Sequence, residues 1–180
     1  MSATPQNPQT FQVRIGARSI KSAAAATLCA TLYFLFDQNP TFACIGAIFG
    51  IGRDMQNSWL NGGNRLIGTV IGGILGMGLF KIYLLIYPKG DYHLILLPLL
   101  FVGVVLLILS GQILKWPGAI QPGAVVLCII LFNTPPDSYV AYSLHRMLDT
   151  GIGVAVALIV NLILPREPLQ NLISKLKLHA

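Results

Sequence analysis

Two short blocks place charged and hydroxyl side chains beside long apolar runs. The first is Asn64-Arg65-Leu66-Ile67-Gly68-Thr69-Val70-Ile71-Gly72. The second lies 81 residues on: His145-Arg146-Met147-Leu148-Asp149-Thr150-Gly151-Ile152-Gly153. Arg, Thr and a glycine stand in register. A guanidinium presents a planar fork of donors that matches a carboxylate. Read as openings of two helices, Arg65 and Arg146 would add that fork to the partial positive charge of a helix N-terminus. Both would attract an organic anion, or would instead snorkel to headgroups and set topology. Thr69 and Thr150 are candidate substrate donors, with bonding to their own helix backbone as the alternative. Asp149 stands one turn after Arg146 and four residues after His145. A carboxylate at membrane depth is costly unless paired or functional. Asp149 is therefore either the partner of Arg146 or, with His145, a proton-coupling site. Mid-span Asn161 reads as an interhelical hydrogen-bonding residue.

No enzymatic constellation accompanies these residues. There is no Ser/His/Asp set, no P-loop and no metal-ligand spacing, so neither a cofactor nor a metal is expected. Cys29, Cys44 and Cys128 all lie inside apolar runs and read as inert buried thiols.

The elements that must carry these residues are membrane helices. Of 180 residues, 54% are hydrophobic and 10% charged, with a mean hydropathy of +0.71. A soluble domain carries about 25% charged residues. The net charge of +6 comes from basic residues at the ends of apolar runs. It reads as a topology signal and not as a nucleic-acid footprint. No cleaved signal peptide is expected.

Six apolar runs follow a polar, basic segment over residues 1–17. They cover about Ile20–Phe36, Thr41–Gly52, Leu66–Tyr87, His93–Ile113, Pro122–Phe132 and Leu144–Leu164. Arg53–Gly63 reads as a polar loop. The second and fifth runs are short against the ~20 residues that span a bilayer. Charge decides the count. With six spans and both termini cytoplasmic, only Lys81, Lys89 and Arg146 of the twelve Lys and Arg lie outside. Were the second run not to cross, the split would be even, so the positive-inside rule favours six. Residues 18–166 then form one transmembrane domain. Residues 167–180 form an amphipathic tail suited to a membrane surface.

At the same 81-residue offset the second run falls on the fifth and the third on the sixth. Two consecutive copies of three spans have opposite orientation. The expectation is an all-α polytopic protein built as an inverted 3+3 repeat, a recurring transporter plan. Gly68, Gly72 and Gly76 fall four apart on one face, which suits close helix packing.

These blocks also carry a resemblance. Arg14-Ile-Gly-Ala-Arg18, Pro40-Thr-Phe-Ala43, the two Arg-containing blocks, Asn161 and Pro165 together resemble the membrane module of the aromatic acid exporter superfamily, which includes fusaric-acid-resistance-like proteins. The resemblance covers about residues 11–166. It implies a six-span module in the inner (plasma) membrane, a dimer or higher homo-oligomer, and export of aromatic or other small organic anions. Members often carry a cytoplasmic helical domain after the module, and this chain ends soon after its sixth run. The expected function is export of small organic anions, aromatic carboxylates by that resemblance alone, with Arg65, Arg146, Thr69 and Thr150 binding substrate and Asp149 with His145 coupling a proton. A passive anion channel of the same fold and a non-transporting scaffold subunit are the rival expectations.

Overall fold

The computed structural model describes residues 16–164, and within them there are helices and no strand. The helices are α1 (Ala17–Leu35), α2 (Thr41–Gly50), α3 (Met55–Ile86), α4 (Leu96–Ile113), α5 (Ile120–Asn133) and α6 (Tyr139–Ile163). Short 3₁₀ turns, Pro117–Ala119 and Pro136–Ser138, lead into α5 and α6. Each begins with a proline, whose fixed φ and missing N–H suit a first helical turn. The expected tail over residues 167–180 lies outside the described residues.

Local chemistry sets the ends of the short elements. Asp37, at φ 51°, closes α1 in the left-handed region that Asp tolerates better than most residues. Asn39 then turns the chain into α2: its Oδ1 accepts from the Thr41 N–H at 3.0 Å and the Thr41 hydroxyl at 2.6 Å. Asp54 caps α3, accepting from the Asn57 N–H at 2.7 Å. This overturns the reading of Arg53–Gly63 as a loop, because α3 already runs from Met55. The polar stretch is helical because it is capped and packed: Gly62 lies so close to Val154 of α6 that a Cβ there would overlap it. The link between α2 and α3 folds back onto the first turn of α3, where the Gly52 N–H donates to Ser58 Oγ at 2.7 Å.

Three helical segments are long and apolar enough to cross a membrane: Met55–Ile86, Leu96–Ile113 and Pro136–Ile163. The apolar segments Thr41–Gly50 and Pro117–Asn133 are shorter. At 1.5 Å per residue, α2 is about 15 Å long, half of the ~30 Å hydrocarbon layer.

The helices meet at small residues. A Cβ on Gly72 would overlap the Gly123 carbonyl, and one on Gly68 would meet the Ala119 carbonyl and Pro122. Gly76 lies against Ile130. Contacts along α3 and α5 thus advance together, and the two helices run parallel. The same holds for α2 and α6, where Gly46 meets Thr150 and Gly153, and Gly50 meets Ala157. Between α3 and α6 the order reverses: Gly62 meets Val154, Leu66 meets Gly151 and Gly73 meets Met147. Those two helices are antiparallel.

The buried side chains form two cores. One joins α1, α2 and α6 through small residues, among them Ala25, Cys29, Ala43, Ala47 and Ala157. The other joins α3, α4 and α5 through bulky ones, among them Phe80, Tyr83, Leu127 and Ile130. Exchanging α1 with α4, α2 with α5 and α3 with α6 maps one core onto the other. Each core takes its third helix from the other half of the chain.

Candidate functional site

Arg65 lies in the eleventh position of α3 and Arg146 in the eighth of α6. Neither opens its helix, so the expected help from the N-terminal dipole is absent. The dipole effect fades within the first turn. What surrounds the two guanidiniums instead is a set of side chains from other helices.

Arg65 borders a cavity of about 360 Å³ between α1, α2, α3 and the start of α5. Its polar wall holds Arg18, Asn61, Asn64 and Gln121, and its apolar wall holds Phe49, Pro122 and Val125. The Arg65 guanidinium carbon sits 5.1 Å from the centre of the Phe49 ring, within cation–π range. The Arg65 Nε is buried and has no hydrogen-bond partner. The indole N–H of Trp116 donates to Asn64 Oδ1 at 2.6 Å, which leaves the Asn64 NH₂ group for other acceptors. No acidic residue lines this cavity. Two cations, three amides and an aromatic wall suit an organic anion with one carboxylate and an apolar body.

Arg146 is dressed differently. Its guanidinium carbon lies 3.8 Å from the Phe42 ring centre and 4.8 Å from that of Tyr142. Its Nη2 lies 3.4 Å from Asp149 Oδ2. The other Asp149 oxygen accepts from the Tyr33 hydroxyl at 2.7 Å, a bond from α1 to α6. Tyr33, Tyr142, Arg146 and Asp149, with Gln38, Asn39 and His145, surround a cavity of about 160 Å³. A larger and mainly apolar one of about 370 Å³ shares Tyr33, Gln38, His145 and Asp149 and extends along Leu32, Phe36, Leu148 and Ile152. The Arg146 Nε is also buried without a partner.

In the α3–α6 contact Leu66 lies against Gly151 and Gly73 against Met147, so the two arginines are offset along the helix pair. Helix α2 reaches both through Phe42 and Phe49, seven residues apart on one face, or about 10 Å along its axis.

The remaining expected site residues fall as follows. His145 is exposed and borders the Arg146 cavity. Thr150 is buried, and its hydroxyl donates to the Arg146 carbonyl at 2.9 Å, so it bonds its own helix. Thr69 is fully buried, its hydroxyl has no partner, and it lines neither arginine cavity. Gly68, Gly72 and Gly76 face α5 within the same chain. Asn161 does bond between helices: its Oδ1 accepts from Lys21 Nζ at 2.6 Å, and its Nδ2 donates to Ser58 Oγ at 2.8 Å. Tyr33, Phe42, Phe49 and Gln121 were not singled out by sequence. The i, i+7 spacing of the two phenylalanines was the available signal.

Three helices long and apolar enough to cross a membrane, with two buried guanidinium centres, define a helical membrane protein. The chain belongs to the aromatic acid exporter family: the family described as aromatic acid exporter family member 1 matches residues 13–164. Neither a curated protein nor a solved structure matches it.

Proposed function

We propose that this protein carries small aromatic carboxylates out of the cell across the inner membrane. The family points to transport of aromatic acids and not to an enzyme. The observation that carries the reading is the Arg65 cavity, a cationic and amide-lined cup with an aromatic wall and no acid. Arg146 at the other depth would take the anion next, with the Phe42–Phe49 face of α2 between them.

The six-span inverted repeat is part of this proposal. It is supported by the exchange relation between the two cores and by alternating helix directions. In that arrangement Arg65 lies toward the cytoplasm and Arg146 toward the outside. Thr69 and Thr150 then serve packing at the crossings, and the anion is held by Arg18, Arg65 and Arg146.

Proton coupling through Asp149 and His145 is the finer expectation. One observation favours the passive reading beside it: Asp149 faces Arg146, so the centre is already neutralised. A negative interior drives an anion outward without a proton, by about 2.3 kcal/mol per charge per 100 mV. The test is flux of radiolabelled 4-hydroxybenzoate in proteoliposomes at set potentials, with and without a pH gradient. Arg65→Gln and Arg146→Gln should each lower flux about tenfold or more. Absence of flux in folded wild-type protein, against a panel of organic anions, would leave the scaffold reading ahead.

A further inference from the structure

The two arginine centres differ where the repeat differs. Arg65 and Arg146 correspond, yet Asp149 stands where the first block has Gly68, and Tyr33 stands where the second half has Leu114. The Arg65 cavity has no acid among its lining residues, whereas Arg146 has Asp149. The carboxylate is held unequally. Its bond from Tyr33 is tight at 2.7 Å. Its approach to Arg146, at 3.4 Å, is longer than the 2.7–2.9 Å typical of a charge-assisted hydrogen bond. Asp149 is thus anchored by α1 and leans loosely on the guanidinium. The Arg146–Asp149 pair is seven-eighths buried, with side-chain exposures of 13% and 12%.

The geometry points to Asp149 as a tethered competitor for Arg146: it yields the guanidinium to an arriving carboxylate and, by returning, expels that carboxylate from the site. This rests on the transport reading above and deepens it. An arriving anion with better geometry gains the fork that Asp149 uses poorly, and the displaced Asp149 keeps Tyr33. The adjoining apolar cavity along Leu32, Phe36, Leu148 and Ile152 offers room for the ring of the arriving acid. Without a competitor, a buried guanidinium between two aromatic rings would hold an organic anion and slow its passage. Conduction requires binding that is weak enough to leave.

The groups around Asp149 are Tyr33 on α1, Gln38 and Asn39 in the link after α1, and Tyr142, His145 and Arg146 on α6. Helix α2 presents Phe42 to the Arg146 guanidinium.

The test uses the full chain in lipid nanodiscs, with Arg65→Gln as background so that only the Arg146 centre is read. Binding of radiolabelled benzoate is measured near neutral pH, where its carboxylate is ionised. Asp149→Asn keeps an acceptor for Tyr33 and removes the charge; Asp149→Ser is a second neutral variant. Each neutral variant should bind benzoate about tenfold more tightly. In an otherwise wild-type chain each should slow efflux. Tighter binding with slower efflux is a combination that misfolding does not produce. Equal or weaker binding in folded variants would make Asp149 a mere support for Arg146 and end the proposal. Benzoate bound by no form, wild type included, would instead overturn the transport reading and the proposal with it.

Discussion

At Arg65 the guanidinium meets amides and the Phe49 ring, with no acid lining the cavity. Its planar shape therefore matters as well as its charge. Arg65→Lys retains a cation but loses the fork and the flat face that lies over the ring. Apparent affinity in vesicle flux should fall about fivefold, since an exposed cation–π contact alone is worth about 0.5–1 kcal/mol. Equal affinity for Lys would mean that charge alone is read. The arginines and Asp149 were legible in the sequence because a charge inside an apolar run is costly and stands out. Tyr33 and Phe42 were not. They reach Arg146 and Asp149 from more than a hundred residues away, and aromatic residues in a membrane helix do not announce a partner.

Among the elements, helix existence was readable from hydropathy and helix starts were not. Apolar runs mark what lipid covers, but α3 begins eleven residues before its run, in Met55–Arg65. That turn-rich composition is held helical by the Asp54 cap and by the seat of Gly62 on Val154. The error matters for mechanism, because it moved Arg65 from a helix end to a helix interior. The glycine face makes the element-scale prediction. Gly72→Leu places a branched side chain into the Gly123 backbone, for which nothing can yield except the α3–α5 crossing itself. Overpacking of this kind costs about 1–3 kcal/mol or more. Gly78, with open space around its Cβ position, is the matched control: Gly78→Ala should leave the unfolding midpoint in detergent unchanged or higher. Similar midpoints for the two variants would show that the crossing is not tight.

For the whole molecule, the proposed inverted arrangement makes a sidedness prediction. Cysteine placed at Lys89 or Asp137 should react with a membrane-impermeant maleimide on intact cells. Cysteine at Arg53 or Lys115 should react only after permeabilisation. Arg53 reacting from outside would remove the second crossing and with it the repeat. For the proposed repeat, the strongest sequence match was legible in the Arg-x-x-x-Thr blocks. The pairing of α6 with α1 and α2 was not, since no local pattern in α2 specifies a partner that follows it by about a hundred residues.

That pairing bears on biogenesis. Helices α3, α4 and α5 are consecutive, so their core can assemble as soon as α5 has left the ribosome. Helices α1 and α2 have no such recourse, because the third wall of their core is α6, the last described helix to be made. Until then the small-residue face of α2, with Ala43, Gly46, Ala47 and Gly50, has no partner of matching shape. A nascent chain arrested after α5 should therefore hold one finished core beside two orphaned helices, a marked substrate for membrane quality control. Synthesis of α6 supplies the missing wall, and the same helix brings Arg146 against Phe42.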